Sequence, residues 1–164
     1  MKKELIFVLL LMMFFSCTRN AEKETIVKDL LTKEFNFCGM SNHNSSDYMI
    51  VSYIDSVGCV KCKLKLNEWK ILKEELNTKG KAIQIVFIAH ASVMKDLQLL
   101  LKSADFYPDK IVSDVGNQIQ LRNKIPNDFV LQTFLLDEAS KIILVGNPVH
   151  NTKIKDLYFK YIKQ

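Results

Sequence analysis

The chain has 164 residues, 48% of them hydrophobic and 25% charged, with five glycines and three prolines. That is the balance of one globular domain, and it excludes a disordered chain, a collagen-like repeat and a long flexible linker. The formal charge of +5 comes from 23 basic and 18 acidic residues interleaved along the chain, so no basic block marks a nucleic-acid arm and no nucleic-acid partner is expected.

Lys2 and Lys3 precede an unbroken apolar run from Leu5 to Phe15. A membrane-spanning helix needs roughly 20 such residues, a signal-peptide core roughly 7–15. Residues 1–16 therefore read as a signal peptide. The run closes on Phe14-Phe15-Ser16-Cys17, which resembles a bacterial lipobox, with Phe14 where leucine is usual. The resemblance implies cleavage before Cys17 and lipidation of Cys17. Ordinary secretion with a free Cys17 thiol is the alternative. Either way the domain is expected outside the cytoplasm, in the cell envelope, where disulfides persist.

Residues 17–46 are expected to form a lipidated tether and N-terminal extension, and residues 47–164 the folded domain. Polar residues 18–25 read as the tether. Ile26, Val27, Leu30, Leu31, Phe35 and Phe37 fit a helix or a strand equally well. Residues 41–47 are a polar loop that leaves His43 in solvent. Tyr48–Asp55 is a predicted strand by its β-branched and aromatic content. Ser56-Val57-Gly58 breaks it. Leu64, Trp69, Leu72 and Leu76 then predict one helix over 60–78, with Trp69 in the core and Gly80 closing the helix. Ala82–Ala89 reads as a buried parallel strand. Ser92 is a candidate cap for a helix reaching Ala104. A short strand over 110–113 and a short helix over 115–123 follow. Leu131–Leu136 and Lys141–Val145 flank Asp137-Glu138-Ala139-Ser140 as a hairpin. Asn151 or Thr152 caps a last helix ending at Ile162. The order predicts an α/β domain with a central mixed sheet covered by helices.

Gly58-Cys59-Val60-Lys61-Cys62 falls between the first strand and the first helix. A cysteine there faces unpaired backbone N–H groups and the positive end of the helix dipole, both of which stabilise a thiolate. Lys61 and Lys63 add positive potential. Cys62, three residues on, lies on the same face and can close a small disulfide. The expected chemistry is thiol–disulfide exchange, with Cys59 attacking and a more buried Cys62 resolving the mixed disulfide. An inert structural disulfide and half of a metal site are the rival readings. Zinc needs four ligands, and Cys38, His43, His90 and His150 show no paired spacing. No cofactor and no metal are expected.

Together these features resemble the thioredoxin-like superfamily, and most closely membrane-tethered thiol-disulfide oxidoreductases of the TlpA type. The resemblance covers roughly residues 47–163. It rests on the Y-I-D-S-V-G-C-V-K-C run, on Tyr107-Pro108 leading into Lys110–Asp114 as an extra strand–helix insertion, and on Thr133–Asp137 with Lys141–Gly146 as the terminal hairpin. Cys-x-x-Cys-Lys-Leu-x-Leu-x-x-Trp (59–69) also resembles short Bacteroides-type envelope lipoproteins. The resemblance implies exported thiol or disulfide proteins and an envelope redox partner as the chain's partners, with the membrane reached through the lipid anchor. The family usually has an aromatic residue before the first cysteine and a proline before the second, where this chain has Gly58 and Lys61. Its cis-proline falls on Leu131 here, and a cis bond before a non-proline residue costs about 2.5–4 kcal/mol, so a trans peptide is expected.

Asp55, four residues before Cys59, is either a proton relay for Cys62 or a strand-end turn residue. His90 ends the second parallel strand at the edge where sites gather; it is either a neighbour of the cysteines or a capping or solvent-facing residue. Cys38 is expected to be a buried or semi-buried free thiol, with a third redox partner or a crosslink to another chain as alternatives. Two non-enzymatic readings compete with the oxidoreductase: a redox-inactive thioredoxin-like binding module with a structural disulfide, and a metallochaperone using the same cysteines.

Overall fold

The computed structural model describes residues 21–39 and 46–162. Cys17, the signal peptide and His43 lie outside the described residues. Five strands form one sheet: β1 (Tyr48–Ile54), β2 (Ile83–His90), β3 (Lys110–Asp114), β4 (Thr133–Asp137) and β5 (Ile142–Val145). Their spatial order is β3-β2-β1-β4-β5. β1 pairs in parallel with β2, and β2 with β3. β4 runs antiparallel to β1, and β5 antiparallel to β4. This is the mixed sheet that the sequence predicts, with β1 at its centre and the extra strand β3 at one edge.

Period-two alternation sorts β1 onto two cores. Ile50 and Ile54 face one layer with Ile85, Phe87 and Leu135. That layer is covered by α3 (Leu66–Asn77), α4 (Met94–Ser103) and α6 (Thr152–Ile162). Met49, Val51 and Tyr53 face the other, with Val86, Ile88, Phe134 and Leu136. Here α5 (Gln118–Asn123) contributes Ile119, and the helix over 21–30, α1, contributes Leu30. The segment 26–37 that fits either period is therefore helical in its first part. Beyond it, Glu34 bridges Lys141 in antiparallel fashion and Phe35 N–H donates to the Ser140 carbonyl at 2.7 Å. The segment closes the free edge of β5. Helix α1 begins inside the stretch read as a tether.

The predicted 60–78 helix is two helices. α2 (Val60–Leu64) ends, and α3 begins, at Lys65, which is left-handed at φ 45°. The reason lies in the spacing of the apolar residues. Leu64 and Trp69 are five apart, which on one continuous helix sets them about 140° from each other. The break lets both be buried, at 4% and 0% exposure. The hairpin is shorter than expected. Residues 129–131 form a 3₁₀ turn before β4, so Leu131 is not a strand residue. Asn151 Oδ1 accepts from the N–H groups of Lys153 and Ile154, at 3.0 and 3.3 Å, and caps α6.

Candidate functional site

Cys59 and Cys62 form a disulfide, with Cα atoms 5.4 Å apart. β1 ends at Ile54, and Gly58 turns the chain at φ +74°, a conformation that favours glycine. Cys59 then caps α2: its Sγ accepts from Cys62 N–H at 3.2 Å. Both cysteines are exposed. What distinguishes them is their surroundings. Cys59 lines an open groove of about 550 Å³ with Ser56, Val60, Lys61, Val93 and Asp96. Cys62 does not line it. Lys61 brings a positive charge to that groove.

Asp55 is buried and hydrogen-bonded through both carboxylate oxygens. Its Oδ1 accepts from Lys63 Nζ at 2.7 Å and from Val57 N–H at 3.1 Å. Its Oδ2 accepts from Gln132 Nε2 at 3.0 Å. Burial pushes the carboxyl up, but the bonds from Lys63, Gln132 and Val57 outweigh it and hold Asp55 below the ordinary carboxylate range. In the oxidised state it is thus a clamped carboxylate joining β1, α2 and the turn before β4. A carboxyl depressed on folding stabilises the fold fully above its unfolded value of about 3.9, and that contribution fades as pH falls through the lower folded value. Asp55→Asn is expected to lose about 1–3 kcal/mol at neutral pH and to show a flatter acid limb. Denaturant midpoints from pH 7 to pH 2 measure this. An acid limb as steep as that of the parent chain would contradict it.

Leu131 is 8% exposed and packs in the second core layer. The described peptide bonds are all trans, as expected at this position. Its N–H donates to the Asp128 carbonyl at 2.9 Å, Gln132 N–H to the Phe129 carbonyl at 3.3 Å and Val130 N–H to Asp128 Oδ1 at 3.2 Å. These three donors are spent within the turn. His90 is not among the groove residues beside Cys59. Its Nδ1 accepts from Ser92 N–H at 3.2 Å, so His90 caps the turn after β2, one of the roles its position suggests. Cys38 is a free, half-buried thiol packed at the edge of the second layer. Among the described residues, no group of three His, Cys, Asp or Glu side chains could hold a metal ion.

Three further residues contribute, and their roles are not evident from the sequence. Gln132 bonds Asp55. His150 Nε2 donates to the Lys63 carbonyl at 2.6 Å, and its ring meets Phe129 edge-on at 5.4 Å. Lys63 appears there only as positive potential. The signal for it was its place eight residues after Asp55, across the strand–helix turn.

No protein-family model and no curated protein matches the chain. Solved structures do. A Chlorobium tepidum protein described as a thiol:disulfide interchange protein DsbE superposes with a TM-score of 0.56 at 15% identity, over 72% of this chain and 82% of its own. The thioredoxin domain of a thiol-disulfide oxidoreductase from Bacteroides vulgatus gives 0.54 at 15%, over 71% and 80%. StoA from Bacillus subtilis gives 0.50 at 17%, over 74% and 92%. The fold of this chain is therefore thioredoxin-like.

Proposed function

We propose that the chain is an exported, lipid-anchored thiol-disulfide oxidoreductase that exchanges disulfides with envelope proteins through Cys59 and Cys62. The observation that carries this reading is an exposed Cys59–Cys62 disulfide at the end of the central strand, beside an open groove. The names of the structural neighbours support it: two are thiol:disulfide interchange or oxidoreductase proteins. Export and lipidation rest on the Lys2–Phe15 run and on Cys17. No described helix is long and apolar enough to cross a membrane.

The reaction balances in two steps. A partner thiolate attacks Cys59 Sγ; the Cys59–Cys62 bond breaks and Cys62 leaves as a thiolate that takes up a proton. The partner's second thiol, deprotonated, attacks the mixed disulfide and releases Cys59. The partner is oxidised by two electrons and the chain gains two thiols. Run backwards, the reduced chain reduces a partner disulfide. Leu99, 60% exposed, lines the same groove and offers apolar surface there.

The test is catalytic turnover. The purified chain, supplied with glutathione, is expected to reduce or oxidise many equivalents of a cysteine-pair peptide, followed by mass spectrometry. Conversion no faster than with glutathione alone would contradict the proposal.

A further inference from the structure

A five-residue helix is too short to hold itself in water, so α2 must be fixed from outside. One residue gathers the anchors. Lys63 Nζ donates to Asp55 Oδ1 at 2.7 Å and also bonds the Val57 carbonyl, two residues before Cys59. Its Cε lies 3.8 Å from where a Cβ on Gly58 would stand, so its stem underlies the peptide leading into Cys59. Its own carbonyl accepts from His150 Nε2. His150 meets Phe129, which opens the turn ending at Gln132, and Gln132 Nε2 returns to Asp55 Oδ2 at 3.0 Å. The contacts close a ring: Asp55, Lys63, His150, Phe129, Gln132.

Resting on the oxidoreductase reading above, we infer that Lys63 is a positioning residue for exchange: it fixes the Val57–Gly58–Cys59 peptide and neutralises Asp55, so that a thiolate can form at Cys59. Lys61 on α2 and Asp96 on α4 line the groove with Cys59, while Asp55 after β1 and Lys63 on α2 form an ion pair. Lys63 is 26% exposed and Asp55 8% as side chains. Without its cation, the buried carboxylate would oppose a second negative charge nearby.

The experiment uses the reduced full chain and an aromatic disulfide probe at pH 7. Mass spectrometry of brief, substoichiometric reactions identifies Cys59 as the site. Lys63→Met is expected to slow Cys59 about tenfold. Lys63→Arg, which keeps the charge and the donors, is expected to stay near the parent rate. Asp55→Asn added to Lys63→Met should recover part of the loss, because no carboxylate is then left to neutralise. A merely structural lysine would not give this pattern. A folded Lys63→Met chain reacting at the parent rate would overturn the inference, and so would an arginine variant as slow as the methionine one or a double variant no faster than it. Should Lys63→Met fail to fold, Lys63→Gln carries the same prediction and the same refutation. Absence of turnover in the parent chain is a separate result: it removes the oxidoreductase reading itself.

Discussion

Cys59→Ser is expected to reduce disulfide exchange to background, whereas Cys62→Ser is expected to stop it one step later, as a stable mixed disulfide between Cys59 and the partner. A hydroxyl at position 59 cannot form a disulfide, so no first step exists. A hydroxyl at position 62 leaves the first step intact and removes the thiol that resolves it. The asymmetry rests on surroundings rather than burial, since both sulfurs belong to exposed residues. Cys59 caps α2 and opens onto the groove; Cys62 follows within the helix. Non-reducing electrophoresis with peptide mapping reads the result. Mixed disulfides accumulating on Cys62 in the Cys59→Ser chain, or exchange continuing through Cys38, would reverse the assignment.

Trp69→Ala is expected to cost about 3–5 kcal/mol of folding stability. Trp69 is 0% exposed at the junction of α3 and the sheet. Its ring packs edge-on to Phe87 at 5.2 Å, and Phe87 in turn meets Phe106 at 5.9 Å. Removing it opens a void that backbone from two helices and a strand cannot fill. Trp69→Phe should cost far less, about 1–2 kcal/mol. The buried indole Nε1 has no hydrogen-bond partner in the protein, so phenylalanine abandons no protein hydrogen bond. Urea unfolding separates the two variants. Equal losses would mean that the indole N–H, not ring packing, carries the stability.

The sequence announces the parts of this fold that repeat over many residues. β1 and β2 stand out as apolar and β-branched runs, and their parallel pairing follows from the helical stretch between them. The hairpin follows from the Asp137–Ser140 turn, where Asp137 Oδ1 accepts from Ala139 and Lys141 N–H groups. What it conceals are features decided by single residues. The α2–α3 break turns on Lys65 adopting a left-handed conformation, which lysine composition does not signal; only the five-residue Leu64–Trp69 spacing does. The turn at 129–131 hides because Leu131 suits a strand locally, and Asp128 capping Val130 N–H decides otherwise. The cysteine pair was legible by spacing and placement. The ring beneath it was not, because Asp55, Lys63, Gln132 and His150 come from four separate segments and meet only in the folded chain.

The most direct test of the account is a redox titration of the full chain in defined thiol buffers, with thiol trapping and mass readout at each cysteine. The account predicts that Cys59 and Cys62 interconvert as a pair, with a midpoint between about −120 and −270 mV, the span of dithiol catalysts, while Cys38 stays a free thiol. A pair that remains oxidised below about −300 mV, as structural disulfides do, or that never forms, would contradict it.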